Sequence, residues 1–374
     1  MHVLFDLRTL DNVTVPVRTY LTALVDSLVP ALGEADRVTL LFAENPLPFT
    51  PIKHRSVRYR FARWSGRSIA GARELRATVN ALHPDVYWSA DPLLRVPVPL
   101  RGKKLKVVFA VQDLRHFTDA NRFSRFERFR WWLIAQRQLI AADALVCPSH
   151  ALSVRLIAQL GLRVRKHVHV ILNGIHPAYR MHSEIEISEV RRRYLVPQKY
   201  TMIVNRADGT HNLATPLKAL AENEEVPSMP LVIVGDGHAT TALRNVIRSC
   251  HLEGLVRFID DTLPAADLSA LYSGAQVTFE PTLRNEYLPA ILQSMASGTP
   301  VICCGTEANE ELFGAAALRI HPTNVAEWRK AFTALMVSTV LRDRLIARGS
   351  ACAMAHTWTS SARASFALAL ELVK

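Results

Sequence analysis

Two stretches of the sequence interleave arginine with aromatic side chains. In the first, Lys53, Arg55, Arg58, Arg60, Arg63, Arg67, Arg73 and Arg76 run alongside Tyr59, Phe61 and Trp64. In the second, Arg122, Arg125, Arg128 and Arg130 alternate with Phe123, Phe126, Phe129, Trp131 and Trp132. On a helix Phe126, Phe129 and Leu133 share a face that Arg125 and Arg128 avoid, which makes a basic amphipathic surface. That chemistry suits docking on anionic lipid or on a phosphate-bearing acceptor. It suits equally a solvated face whose arginine stems lie along apolar neighbours. The cysteines promise less: Cys147, Cys250, Cys303, Cys304 and Cys352 show neither C-x-x-C nor His-paired zinc spacing. Adjacent cysteines such as Cys303 and Cys304 rarely satisfy disulfide geometry, so this pair reads as strand-end packing.

Composition narrows the partners. The 374 residues are 49% apolar and 21% charged, which suits a globular chain of two or three domains and excludes general disorder. Lys+Arg 45 against Asp+Glu 33 gives a net charge of +12, so phosphates, nucleic acid and acidic lipid are the candidate anions. No nucleic-acid recognition motif accompanies the charge, and nucleic acid is set aside as a partner. The most apolar segment, 131–146, holds Arg137 and Asp143 and reads as a buried amphipathic helix rather than a membrane span. The first residues, MHVLFD, lack a basic region followed by an apolar run, so no secretory leader is expected. With cysteines that behave as small apolar residues, this predicts a cytoplasmic protein, peripheral at the inner face of the membrane where the basic stretches engage lipid.

The elements that must position any chemistry follow from periodicity. Short β-branched runs at 2–5, 38–42, 86–88, 106–111, 144–147 and 167–172 read as strands. A second series follows at 200–204, 230–234, 256–259, 276–280, 300–303 and 317–320. Helix-length amphipathic segments lie between them at 17–28, 124–141, 151–159, 214–221, 239–249, 264–273 and 288–297. Strands alternating with helices predict parallel, doubly wound sheets, and two series of this length predict two α/β domains. The join falls near Asn173-Gly174-Ile175-His176-Pro177, a turn signal, and the charged 181–198 segment reads as a helical lead-in to the second domain.

Seven pieces of sequence, in this order, resemble the family 4 glycosyltransferases. They are VFAVQDL at 108–114, ADALVCPS at 142–149, VILNGI at 170–175, Asn212-Leu213, Leu271-Tyr272, MASGTPV at 295–301 and Thr357-Trp358. The resemblance implies the α/β GT-B fold: two Rossmann-like, doubly wound domains facing across a cleft. The boundaries would be 1–175, joined by the C-terminal helix 358–374, and 176–357. It implies transfer of a sugar from a nucleotide-sugar donor to a glycan or lipid-linked acceptor in polysaccharide or glycoconjugate assembly. Neither metal nor cofactor is implied; the nucleotide sugar enters as substrate.

A departing nucleoside diphosphate gathers negative charge, so cations, helix N-termini and glycine-rich backbone must face it. Against that need the chain departs from its family repeatedly. The glycine-rich loop before the first helix reads Val13-Thr14-Val15-Pro16-Val17-Arg18, without glycine and with Pro16 lacking a donor. The family's His-Asp pair is Gln112-Asp113, where the amide hydrogen-bonds but does not titrate. Arg206 keeps the family's arginine, while His211 replaces its lysine and is largely neutral at pH 7 unless a diphosphate raises its pKa. The two glutamates of the family's E-x7-E motif become Asn285 and Gln293, with Glu286 one residue displaced. Glu311, in the loop after the 300–303 strand, matches a glutamate common in the family.

The candidate site is therefore Gln112 and Asp113 for catalysis and Arg206, His211, Asn285, Glu286, Gln293 and Glu311 for the donor. Two readings of the substitutions stay open. One is an atypical transferase, retaining or inverting; inversion needs a general base, for which Asp113 stands ahead of His116 and Asp91. The other is a catalytically silent subunit that binds a partner glycosyltransferase, a glycan or a membrane surface through the basic first domain.

Overall fold

The computed structural model describes the chain except residues 11, 12, 14, 44–50, 65, 66, 95–104, 115–123, 125–128, 130, 206–211, 227, 228, 236–240, 261, 262 and 284–288. The described residues form two compact units, Met1–Gly174 with Thr357–Lys374, and Ile175–His356.

The first unit is built on β1 (His2–Asp6), β2 (Arg37–Ala43), β3 (Val57–Ala62), β4 (Val86–Ser89), β5 (Lys106–Ala110), β6 (Ala144–Cys147) and β7 (Val168–Val170). They form one sheet in the order β3-β2-β1-β4-β5-β6-β7, and every pair is parallel. Parallel strands are covered on both faces, which is why β1, β5 and β6 read as nearly continuous apolar runs. Alternate residues separate into two cores. Val3, Phe5, Val38, Leu40, Trp88, Val108 and Val146 pack with Tyr20, Leu21 and Leu24 of α1 (Val15–Asp26), and with Trp358, Ala362 and Phe366 of the last helix. On the other face Leu4, Leu41, Tyr87, Val107, Phe109 and Leu145 pack against Leu75 and Val79 of α2 (Ile69–Leu82). Leu139 of α3 (Gln136–Ala141) and Leu152 and Leu156 of α4 (His150–Leu160) complete that face. Pro16 is the second residue of α1, where its missing N–H has no intrahelical partner to lose.

The second unit begins with α5 (Glu184–Tyr194), closed by a capping box between Ser183 and Glu186. Its strands are β8 (Thr201–Asn205), β9 (Leu231–Gly235), β10 (Val256–Asp260), β11 (Thr278–Glu280), β12 (Val301–Cys304) and β13 (Leu318–Ile320), in the parallel order β10-β9-β8-β11-β12-β13. The connecting helices are α6 (Ala214–Ala221), α7 (Thr241–Ser249), α8 (Ala265–Gly274), α9 (Pro289–Ala296), α10 (Glu307–Phe313), α11 (Val325–Val337) and α12 (Thr339–Ala355). Ile203, Ile233, Phe279 and Ile302 face Leu217, Ile247, Trp328 and Phe332; Met202, Val232 and Val234 face Val190 and Leu271. The chain closes on α13 (Trp358–Val373), whose N-cap Thr357 accepts from Ser360 N and whose apolar face belongs to the first unit.

Three expectations need correction. The basic stretch at 53–76, to which the periodicity assigns no element, carries β3 and the start of α2, so among the described residues the first sheet has seven strands. Of the helix expected over 124–141, residues 125–128 and 130 lie outside the described residues and Phe129 is helical, but Ser124 is not, and Trp131–Ala135 form a π-helical turn running into α3. Trp131 is buried while Trp132 and Phe129 are exposed, their ring centroids 6.3 Å apart. The segments 307–313 and 325–355, left unassigned, carry α10, α11 and α12 on either side of the expected strand at 317–320. All five cysteines are free; Cys303 and Cys304 point to opposite faces of β12, and burial pushes the Cys304 thiol up to about 12. Among the described residues no helix is long and apolar enough to cross a membrane.

Candidate functional site

In a parallel sheet every strand C-terminus opens on the same edge, and ligands bind doubly wound sheets there, where the strand order reverses. In the first sheet the reversal lies between β1 and β4. Asp6 ends β1, and both its oxygens are engaged by Arg8: Nε donates to Oδ1 at 2.9 Å and Nη2 to Oδ2 at 2.6 Å. The Tyr87 hydroxyl donates to Asp6 Oδ2 at 2.8 Å, and Arg8 Nη1 donates to the Gly71 carbonyl at 2.8 Å, tying β1, β4 and α2 together. Burial opposes the charge on Arg8, but the Asp6 carboxylate outweighs it and holds the guanidinium's pKa above its usual value. Burial, aided by the negative Asp6, pushes the Tyr87 phenol well above its usual range. The cluster is a locked ion pair, a frame rather than an acid or base.

Next along the same edge, Asp91 receives Arg67 Nε and Nη2 on Oδ2, each at 2.9 Å, and the Leu93 N–H on Oδ1 at 2.9 Å. So engaged, Asp91 shapes the turn that follows β4. After β5 come Gln112, buried, and Asp113, half-buried. Asn173 Nδ2, from the turn after β7, donates to Gln112 Oε1 at 2.7 Å. Among the described residues, Gln112 Nε2 and Asn173 Oδ1 meet no hydrogen-bond partner. The pair therefore keeps one donor and one acceptor beside Asp113, the complement of a hydroxyl group, with nothing in it that titrates near neutrality. His116 lies outside the described residues.

In the second sheet the order reverses between β8 and β11. Asn212 clamps this edge: its N–H donates to the Pro281 carbonyl at 2.9 Å, and its Nδ2 to Thr215 Oγ1 at 2.7 Å and the Pro322 carbonyl at 2.9 Å. Glu280, buried at the end of β11, accepts from the Thr282 hydroxyl. Gly298 takes a φ of +79° in the turn that returns the chain to β12, which a side chain would oppose. Ser294 Oγ donates to Thr278 Oγ1 at 2.8 Å, fixing α9 on β11.

Of the donor-site candidates, Arg206, His211, Asn285 and Glu286 fall outside the described residues. Gln293 is half-buried on α9, and its carbonyl accepts from Ser297 Oγ at 2.8 Å. Glu311 sits not in a loop but on α10, exposed, one turn past the Thr306 cap. The periodicity gave no hint of Asp6, Arg8 or Glu280, because Asp6 and Glu280 end strands that otherwise read as apolar and Arg8 follows two residues after one. The available signal is the D-x-R spacing at the end of β1 and the lone acid before Pro281.

The family description "Glycosyltransferase Family 4" matches residues 20–179, and "Glycosyl transferases group 1" matches residues 187–351. The chain belongs to the family 4 glycosyltransferases. One relative of this glycosyltransferase chain is the O-antigen chain mannosyltransferase B of Escherichia coli, 26% identical over 184 residues. That match spans 48% of either chain, about half the relative's length. Similar solved structures include the sucrose-phosphate synthase of Thermosynechococcus elongatus, with a TM-score of 0.74 at 15% identity, over 100% of this chain and 99% of that one. HepE of Anabaena, in complex with UDP and glucose, gives 0.72 at 17% over 99% of both chains. A glycosyltransferase of Rickettsia africae gives 0.75 at 10%, over 100% of this chain and 98% of its own. At these identities the likeness is one of fold, and that fold is GT-B.

Proposed function

We propose that this chain transfers a hexosyl group from a nucleotide-sugar donor to a hydroxyl of a glycan or lipid-linked acceptor, in polysaccharide or glycoconjugate assembly. The observation that carries the reading is the succession of the two family matches, one over each doubly wound unit. In the proposed reaction an acceptor oxygen bonds to the anomeric carbon while that carbon's bond to the diphosphate oxygen breaks. The electron pair leaves with the nucleoside diphosphate, and Arg206 and His211 meet its charge. Asn285, Glu286 and Gln293 hold sugar or phosphate oxygens, and Glu311 the ribose. In an inverting reaction the acceptor proton passes to Asp113, while Gln112 with Asn173 orients a hydroxyl beside it. Neither a metal nor a cofactor takes part. The proposed setting is cytoplasmic, peripheral to a membrane that supplies the acceptor.

A second reading, a silent subunit serving a partner transferase, draws support from the exposed Glu311 and from the loss of charge at Asn285 and Gln293. Calorimetric titration with UDP, GDP and their sugar conjugates separates the cases, with a mannosyl donor tried first because of the mannosyltransferase relative. A charge-assisted contact is worth about 1.5–3 kcal/mol, so Arg206→Ala should weaken donor binding by roughly ten- to a hundredfold. Tight binding indifferent to that change would refute the assigned phosphate site. Binding without release of nucleoside diphosphate, across acceptors, would favour the silent subunit.

A further inference from the structure

The first sheet ends at β3, and what that edge exposes differs from the rest of the unit. From Lys53 to Leu82 the sequence holds one carboxylate, Glu74, among arginines and a lysine. Glu74 faces inward to the turn: its oxygens accept from Arg63 N at 2.8 Å and Trp64 N at 3.0 Å, which fastens the β3–α2 turn onto the helix. Arg67 is taken by Asp91, and the remaining arginines are left to the outside. Arg58 and Arg60 are exposed on the sheet face that also carries Ala62, which packs in the core with Leu75 and Val79 of α2. Arg73 and Arg76 are exposed and, three residues apart, share one side of α2.

Among these cations lie apolar groups that a solvated face does not call for. Trp64 is 49% exposed with the Arg63 guanidinium 5.8 Å from its ring centre, and Ile69 is 60% exposed, while Phe61 lies on the other face of β3, its ring 6.3 Å from that of Phe42. Edge strands do carry charge to prevent pairing with another edge, and that explains Arg58 and Arg60. It does not explain an exposed Trp and Ile on the turn and the helix. Single-stranded nucleic acid would use the aromatic rings and the arginines but gains nothing from Ile69. Tryptophan beside arginine, with an aliphatic neighbour, is the set that partitions into the headgroup layer of a bilayer.

We propose that the β3–α2 edge, through Arg58, Arg60, Trp64, Ile69, Arg73 and Arg76, is a docking surface for anionic phospholipid. The charge brings the surface to the membrane, and Trp64 and Ile69 enter the headgroup region. This names the surface for the membrane setting proposed above, and its test is separate from that of the transferase reading, since lipid binding is read without any donor or turnover.

The test is co-sedimentation of the full chain with vesicles of phosphatidylcholine alone and of an equal mixture with phosphatidylglycerol. Binding should require the anionic lipid and weaken between about 0.1 M and about 1 M salt, as the Debye length falls from about 10 Å to about 3 Å. Each lysine or arginine near such a surface contributes about fivefold, so Arg73→Gln with Arg76→Gln should lower partitioning by about 25-fold. The matched loss of charge in the second unit, Arg192→Gln with Arg248→Gln, should leave it unchanged. Trp64→Ser should abolish the blue shift of tryptophan fluorescence on vesicle addition. Equal binding to both vesicle types overturns the proposal, as does an equal loss in the second-unit variant. Tighter binding to a single-stranded oligonucleotide, lost in the same α2 variant, would make the surface a nucleic-acid one and also overturns it.

Discussion

Gly174 is the residue whose absence of a side chain the first unit uses most directly. A Cβ at that position would lie 2.0 Å from Trp358 N and 2.4 Å from the Thr357 carbonyl carbon. Both are backbone atoms, and no rotamer change relieves the clash, so Gly174→Ala should cost at least about 3 kcal/mol, beyond ordinary overpacking. Gly254, where an added Cβ meets nothing within 4 Å, supplies the control. Gly254→Ala should be neutral or stabilise by up to about 1 kcal/mol, both values read from urea unfolding. The neighbouring Gln112–Asn173 pair makes a second prediction at this scale. Gln112→Met leaves the buried Asn173 amide wholly unpaired and should cost about 1–3 kcal/mol. Combining it with Asn173→Leu removes the orphan together with its partner, so the double variant should be more stable than the sum of the single losses. Strict additivity would show that the two amides do not act as a pair. Asn173 and Gly174 were visible in the sequence as a turn, but not what they touch: their partners lie 61 residues back and at the far C-terminal helix. Arg8 was invisible for the same reason, since its meaning comes from Asp6, Tyr87 and Gly71 converging at one strand end.

Elements were legible where burial is two-sided and hidden where it is not. Strands β1, β5, β6, β8 and β12 are covered on both faces and announce themselves as β-branched runs. Strand β3 reads as a charge run because it is an edge, with Arg58, Arg60 and Phe61 outward and only Val57 and Ala62 fully buried. Helix α12 escaped notice because it packs through small residues: Leu345, Gly349 and Ala353 are its buried positions, and a Cβ on Gly349 would approach Met295 Cγ to 3.0 Å. That stripe has the spacing of a helix without the bulk that marks one. By contrast the S-x-x-E box opening α5 is explicit in the sequence, and it yields a pH prediction. The Arg180 guanidinium, with the Ser183 N–H and hydroxyl, holds the Glu186 carboxyl down at about 2 against an ordinary 4.5. A carboxylate with a depressed folded pKa contributes stability above its unfolded value and loses it as the pH falls toward the folded one. Stability of the second unit should therefore decline between about pH 4.5 and about pH 2. Glu186→Gln should flatten that part of the thermal-unfolding profile, and high salt should diminish the difference because the pair is exposed. An unchanged acid limb in the variant would show that this cap does not set it.

At the scale of the whole molecule, sequence order and spatial order disagree, and the disagreement has a consequence for folding. The second unit is one continuous segment, Ile175–His356, while the first is completed only by Thr357–Lys374. The last helix is no accessory: Trp358, Ala362, Phe366, Leu368 and Ala369 enter the core that contains Leu10, Tyr20 and Leu24, and the Trp358 ring lies 6.1 Å, edge-on, from that of Tyr20. Without α13 that face of the first sheet would expose a contiguous apolar surface, the kind that leads to association. Long-range completion of this sort also delays folding, because the loop-closure entropy of the intervening chain precedes any gain from contact. The segment 175–356 alone should therefore unfold cooperatively in urea, whereas 1–174 alone should bind hydrophobic dye and aggregate. Supplying 357–374 as a separate peptide should restore a cooperative transition to 1–174, with a midpoint that rises with peptide concentration as binding linkage requires. Loss of the transition on Trp358→Ala in that peptide would identify the indole as its anchor. A cooperative, monomeric 1–174 that ignores the peptide would show instead that the first core closes on its own and that α13 merely covers it.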